Sequence, residues 1–334
     1  VVALHRAAYL LYTHRFPLEG QGVLVVGPNR VFLTYIEQVL PSLGEAGVQL
    51  AVLSDLIPRA RVRGFDNEDV ARVKGDPAMS HVLRAALRDR QRPLRSDLVI
   101  GYGLQRLRVT VEESAAIISE ARRRYRKHNS ARNYVRDELF MKLAASARTE
   151  DVDWVVLRDR IGRSIEIREA LEWMWPVLTA EHLVHDLYGA RALTWSAARG
   201  FLSRRDAHLL YRDRSEHASQ VIWTAHDVPV LDEARSVVGP RPGHRDEDEI
   251  RTYGHIVVDE AQDLSPMQLR MLTRRSLNGS MTVVGDIAQS TGAWAHDHWD
   301  EILDHLPDRR EPQHRKLTIG YRIPGPTMDL AAKV

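Results

Sequence analysis

Short runs of consecutive apolar, β-branched residues mark the two outer parts of this chain, while a long middle stretch spaces its apolar residues at helical intervals. At the start, Val1, Leu4, Ala8 and Leu11 share one face of a helix predicted over 1–15. A strand follows over 23–26, closed by Gly27, Pro28 and Asn29, then a helix over 31–40 stopped by Pro41 and a strand over 48–53. Helix, strand, helix, strand with short connections is the rhythm of a right-handed parallel α/β sheet. From 55 to about 224 that rhythm gives way to helical patterns over 77–90, 112–127, 131–148, 164–173 and 180–187. One hairpin is predicted there, strands 98–100 and 107–111 around Gly101 and Gly103. The α/β rhythm resumes with strands over 256–258, 281–284 and 316–319 and a helix over 266–275.

Between these blocks, 228–239 reads as a surface helix, because no buried strand precedes its Leu231-Asp232-Glu233-Ala234. The stretch 239–249 reads as a loop ending in four acidic residues, 246–249. The cluster 173–178 carries two tryptophans and reads as core of the middle block; the basic run 122–127 fits both a solvated helix face and a grip on phosphates.

With 334 residues, 44% hydrophobic and 28% charged, the chain is long enough for about two domains of globular composition. The absence of cysteine excludes disulfides, thiolate metal sites and a cysteine nucleophile. No apolar run of about 18 residues occurs, so a soluble, cytoplasmic protein is expected. A net charge of +2 permits a polyanionic partner without demanding one. A start without Met, inside a helical pattern, suggests a piece of a longer protein.

The chemistry concentrates at three strand ends. Ile256-Val257-Val258 runs into Asp259 and Glu260, as when a buried parallel strand delivers carboxylates to the carboxyl edge of a sheet. In a nucleotide hydrolase one such carboxylate holds Mg²⁺ and the next orients or deprotonates the attacking water. The strand at 281–284 ends in Gly285-Asp286-Ile287-Ala288-Gln289, where an amide can sense a γ-phosphate. The strand at 316–319 runs into Tyr321 and Arg322, an aromatic that can stack on a base and a cation that can neutralise developing phosphoryl charge.

Asp259-Glu260-Ala261-Gln262-Asp263, Gly285 to Ser290, and Tyr321-Arg322 resemble motifs II, III and IV of superfamily 1 helicases of the UvrD/Rep type, and Val25 to Asn29 sits at motif Ia. The resemblance implies a RecA-like P-loop NTPase domain interrupted by a long, mainly helical insertion, with ATP and Mg²⁺ as cofactors. It implies Asp259 for Mg²⁺, Glu260 as catalytic base, Gln289 and Arg322 for the γ-phosphate, Tyr321 for adenine, and Asn29, Arg30 and Trp294 for nucleic acid. The family's phosphate loop would lie just before Val1, so residues 1–334 alone are expected to be inactive. The family's base-stacking groups are thinned: Gly27 stands at an aromatic position, and Gly292 and Ala295 flank Trp294.

The form of motif Ia over 27–45, Trp175-Pro176 and the long insert are similar to the HelD family of RNA-polymerase-recycling motors. That similarity implies core RNA polymerase as partner, met at its clamp and primary channel by residues 55–250. It divides the chain into 1–54 and 251–314 (domain 1A), 55–225 (clamp-opening arm), 226–250 (helix and acidic channel loop) and 315–334 (start of domain 2A). A single-stranded DNA translocase and a non-catalytic docking module are the alternatives.

Overall fold

The computed structural model describes residues 21–39, 48–57, 60–148, 152–307 and 311–317. In chain order the elements are β1 (Val23–Val26), α1 (Arg30–Val39), β2 (Val48–Ala51), β3 (Val62–Gly64), α2 (Glu68–Gly75), α3 (Met79–Arg88), β4 (Leu98–Tyr102), β5 (Gln105–Val109), α4 (Val111–Arg124) and α5 (Arg132–Ala145). There follow α6 (Trp154–Ile161), α7 (Ile165–Met174), α8 (Ala180–Tyr188), α9 (Arg191–Ala198), α10 (Arg204–Leu209), β6 (Trp223–Thr224), α11 (Asp227–Val238), α12 (Arg245–Asp248), β7 (His255–Val258), α13 (Pro266–Arg275), β8 (Met281–Val283) and α14 (Trp299–Leu303). The helix expected over 1–15 and the residues Tyr321 and Arg322 lie outside the described residues; so does most of the strand expected over 316–319, of which Lys316 and Leu317 are described and form no strand.

The fold is α/β, that of a RecA-like domain with a mainly helical insertion. Four parallel strands form one sheet in the order β2-β1-β7-β8. All residues of β1 and β7 are buried, as a parallel strand covered on both faces requires. The insertion enters and leaves through a second, two-stranded parallel sheet, β3 with β6, which the sequence pattern does not announce. The hairpin β4–β5 turns at Gly103, whose φ of +60° suits glycine. Thr110 then caps α4 in a reciprocal box with Glu113.

Two hydrophobic cores result. One is built from residues 94–175, among them Leu107, Leu139, Phe140 and Trp175. The other joins Leu24, Val26, Ile256 and Val258 of the sheet to Val82, Leu83, Tyr188, Trp223 and Leu231, and so runs across both boundaries drawn at 55 and 225. None of the described helices is long and apolar enough to cross a membrane.

Two expectations are corrected. First, α11 is no surface helix: Asp227, Val230, Leu231, Asp232 and Glu233 are buried. Its acidic pair is neutralised by α13, where Arg275 donates to Asp232 at 2.6 Å, Arg270 to Glu233 at 2.8 Å, and Arg274 bridges both. Burial alone would raise the Glu233 carboxyl, but Arg270, Arg274 and Arg84 hold it below its ordinary value. Second, 239–249 is not wholly loop: α12 folds back, with Arg241 on Asp248 at 2.8 Å and Arg235 donating to the carbonyls of Glu247 and Asp248. The basic run keeps the solvated helix face that the sequence allowed: its cations are exposed, with Arg122 on Gln91 and the Arg88 carbonyl and Arg123 and Arg124 on Glu120.

Candidate active site

Parallel pairing in register aligns Val26, Val258 and Val283, so the polar residues after β1, β7 and β8 emerge together at the carboxyl edge. The ladder continues one step beyond the strands. The Asp259 amide donates to Val26 O at 3.1 Å, the Val284 amide to Val258 O at 2.9 Å, and the Gly27 amide to Ala51 O at 3.2 Å. Asp259 and Glu260 therefore leave the sheet between β1 and β8.

Glu260 is the only non-glycine residue with positive φ among the described residues, at φ 52° and ψ 44°. Holding a glutamate there costs about 1–3 kcal/mol, which surrounding contacts must offset. Those contacts are present. The Glu260 amide donates to Asp259 Oδ1 at 3.1 Å, and the Gln262 side chain, 1% exposed, donates from Nε2 to Glu260 Oε2 at 2.8 Å. The other end of the same carboxamide accepts the Asp286 amide at 3.0 Å. Gln262 thus fixes the Glu260 carboxylate relative to the loop after β8. Residue 285 must be small for this: a Cβ on Gly285 would lie 2.3 Å from Gln262 Oε1 and 3.1 Å from the Ala261 nitrogen.

The loop after β8 is ordered by short-range bonds. Asp286 caps a 3₁₀ turn over Ile287–Gln289, accepting the Ala288 amide at 3.1 Å and the Gln289 amide side chain at 2.8 Å. Ser290 donates to Gln262 O at 3.0 Å and the Thr291 amide to Asp263 Oδ1 at 3.2 Å. The structure thus assembles the ends of β7 and β8 into one hydrogen-bonded unit carrying Asp259, Glu260 and Gln289, with Gln289 exposed.

The other predicted residues divide. Asn29 and Arg30 stand at the same edge beyond β1, where Asn29 accepts the Phe32 amide at 2.9 Å and Arg30 pairs with Asp55. Trp294 is half-buried and its Nε1 donates to Arg72 O in α2 at 3.1 Å. Sequence reasoning gave no role to Gln262 or Gly285; the only signal was their place two residues after Glu260 and one before Asp286.

For Mg²⁺ the donor set fits. Such an ion takes one or two carboxylates and completes its shell with water and substrate phosphates, which suits Asp259 at the strand end. Among the described residues no group of three His, Cys, Asp or Glu is placed to hold a metal ion.

Residues 245–306 match the family model of the UvrD/REP helicase N-terminal domain. The matched segment contains Asp259, Glu260, Gln262, Gln289 and Trp294. No curated protein matches the chain.

Proposed function

Taking the chain as a relative of the UvrD-like superfamily 1 helicases, we propose that it is part of an ATP-hydrolysing factor that binds RNA polymerase and frees it from nucleic acid or from an inhibitor. Asp259 would hold Mg²⁺, whose chemistry is to neutralise charge on the phosphate oxygens. Glu260, fixed by Gln262, orients and deprotonates the attacking water. Gln289 exchanges Asp286 for the γ-phosphate, Arg322 neutralises the transferring group, and Tyr321 stacks on adenine.

The observation that carries the choice of partner is the condition of the two positions where a base would stack. Gly27 offers no side chain, and a Cβ there would stand 2.8 Å from Leu33 Cδ2 and 2.9 Å from Phe32 Cδ1. The indole of Trp294 is engaged by the insertion. Aromatic stacking contributes about 1–3 kcal/mol per base to single-strand binding, so losing the platform at Gly27 and tethering Trp294 through its N–H weakens a DNA track and favours a protein partner met by residues 55–250. The family match favours a second reading, a single-stranded DNA translocase.

Two assays on the full-length protein separate the readings. The expected result is an ATPase rate that responds little to single-stranded DNA and co-purification with core RNA polymerase. Strong stimulation by DNA without polymerase binding would leave the translocase.

A further inference from the structure

Within that ATPase reading, we propose that Trp294 is a positioning residue through which the insertion governs the nucleotide site. The loop from Asp286 to Trp294 carries Gln289. Its first part is tied to the turn after β7, through Gln262 and Asp263. Its last residue is tied to the insertion instead: Trp294 Nε1 donates to Arg72 O, a last-turn carbonyl of α2 of the kind that helix ends leave without an intrahelical partner. The seat exists because residue 75 is glycine. A Cβ on Gly75 would lie 2.2 Å from Trp294 Nε1 and 2.7 Å from Ser265 Cβ, and Ser265 is the capping residue of α13.

The far side of α2 is anchored in the insertion and on α11. Arg72 pairs with Asp206 of α10 at 2.5 Å. Lys74, its side chain 4% exposed, lies 2.9 Å from Asp66 and 2.8 Å from Asp227 at the start of α11. A displacement of α10 or α11 therefore carries α2 with it, and α2 carries the end of the Gln289 loop. Coupling of this kind is reciprocal: γ-phosphate bound at Gln289 shifts α2, and a partner that moves the insertion shifts Gln289.

The test uses the full-length protein and two nucleotides, ATPγS and ADP, because only the first presents a γ-phosphate. Trp294→Phe keeps an aromatic ring and removes the N–H, while Gly75→Ala wedges the seat from the other side. Expected for both is about tenfold weaker ATPγS binding, the equivalent of about 1.4 kcal/mol, with ADP affinity unchanged. In the unaltered protein, ATPγS should slow hydrogen exchange of residues 68–75 relative to ADP, and both variants should abolish that difference. Equal weakening of the two nucleotides, which a general loss of structure would cause, overturns the proposal. So does an exchange pattern in α2 that ignores the nucleotide, or a Trp294→Phe defect confined to single-stranded DNA binding. If neither nucleotide binds, the ATPase reading falls and this proposal with it; if ATPγS binds while α2 fails to respond, the coupling alone falls.

Discussion

His128 sits where the two hydrophobic cores meet, and its charge state can be worked out from its neighbours. The ring is 2% exposed and stacks on Trp175 with centroids 4.8 Å apart and planes 7° from parallel. Nε2 faces Pro176 O at 2.7 Å, and a carbonyl only accepts, so Nε2 carries the hydrogen. Nδ1 faces Gln91 Nε2 at 3.2 Å, and Gln91 is oriented by Arg122, which donates to its Oε1 at 3.0 Å. Nδ1 therefore accepts, and protonating it would set two donors against each other. Burial pushes the imidazole from 6.5 down to about 4; the Pro176 carbonyl opposes the shift and Arg132 adds to it.

A folded-state pKa below the unfolded value means that the unfolded chain binds the extra proton first. His128 thus leaves stability intact above pH 6.5 and takes it away progressively as pH falls toward 4. Between pH 7 and pH 5 these two values give a loss of about 2 kcal/mol from this one ring. Urea denaturation at both pH values, on the unaltered chain and on His128→Gln, isolates that contribution from those of the other histidines. The unaltered chain should lose about 2 kcal/mol more than the variant over the interval. Equal losses would refute the reasoning, as would a native-state NMR titration of the His128 ring near 6.5.

Three further outcomes follow from the geometry. Asp232→Ala strands Arg275 in the core with only the Met271 and Leu56 carbonyls for company, and should lower unfolding stability by about 3 kcal/mol, toward the low end for a broken buried pair; the double change Asp232→Leu with Arg275→Met should recover most of it in the same denaturation assay. Gln262→Ala releases both the Glu260 carboxylate and the loop after β8, and should lower steady-state ATP turnover of the full-length protein by about 100-fold, the scale of a 1 Å misplacement. Gly285→Ala, which forces the Gln262 oxygen away, should lower the same rate in the same direction, with the circular dichroism spectrum unchanged.

The strands of the main sheet and the polar ends of β7 and β8 were legible because each is local: an apolar run, then a turn, then charged or amide residues. The starts of α4, α7 and α13 were placed by helical spacing alone; in the structure Thr110, Ser164 and Ser265 fix them by capping their own first turns. What escaped the sequence depends on partners far along the chain. Asp232 and Glu233 look like solvent-facing acids until α13 brings Arg270, Arg274 and Arg275 against them. Trp294 looks like a free stacking platform until Gly75, more than 200 positions earlier, offers it a seat. Gln262 looks like any polar residue in a motif; its two-ended role follows only from the distance at which β7 and β8 pair.

The register of the main sheet carries a consequence for how the chain is made. Val23 pairs with His255, so β1 finds its second neighbour about 230 residues after it leaves the ribosome. At about 5–20 residues per second, translation leaves that edge of β1 waiting for about 10–45 s. The waiting strand is Val-Leu-Val-Val, wholly apolar and fully buried once the sheet closes. In the interval the core over 94–175, which needs nothing from β7, can close, while the rest of the insertion awaits the core that Ile256 and Val258 complete. The nascent chain thus carries a closed 94–175 core beside an incomplete sheet, with an open, adhesive strand edge during synthesis. That stage calls for chaperone cover, and slower elongation through the insertion prolongs it.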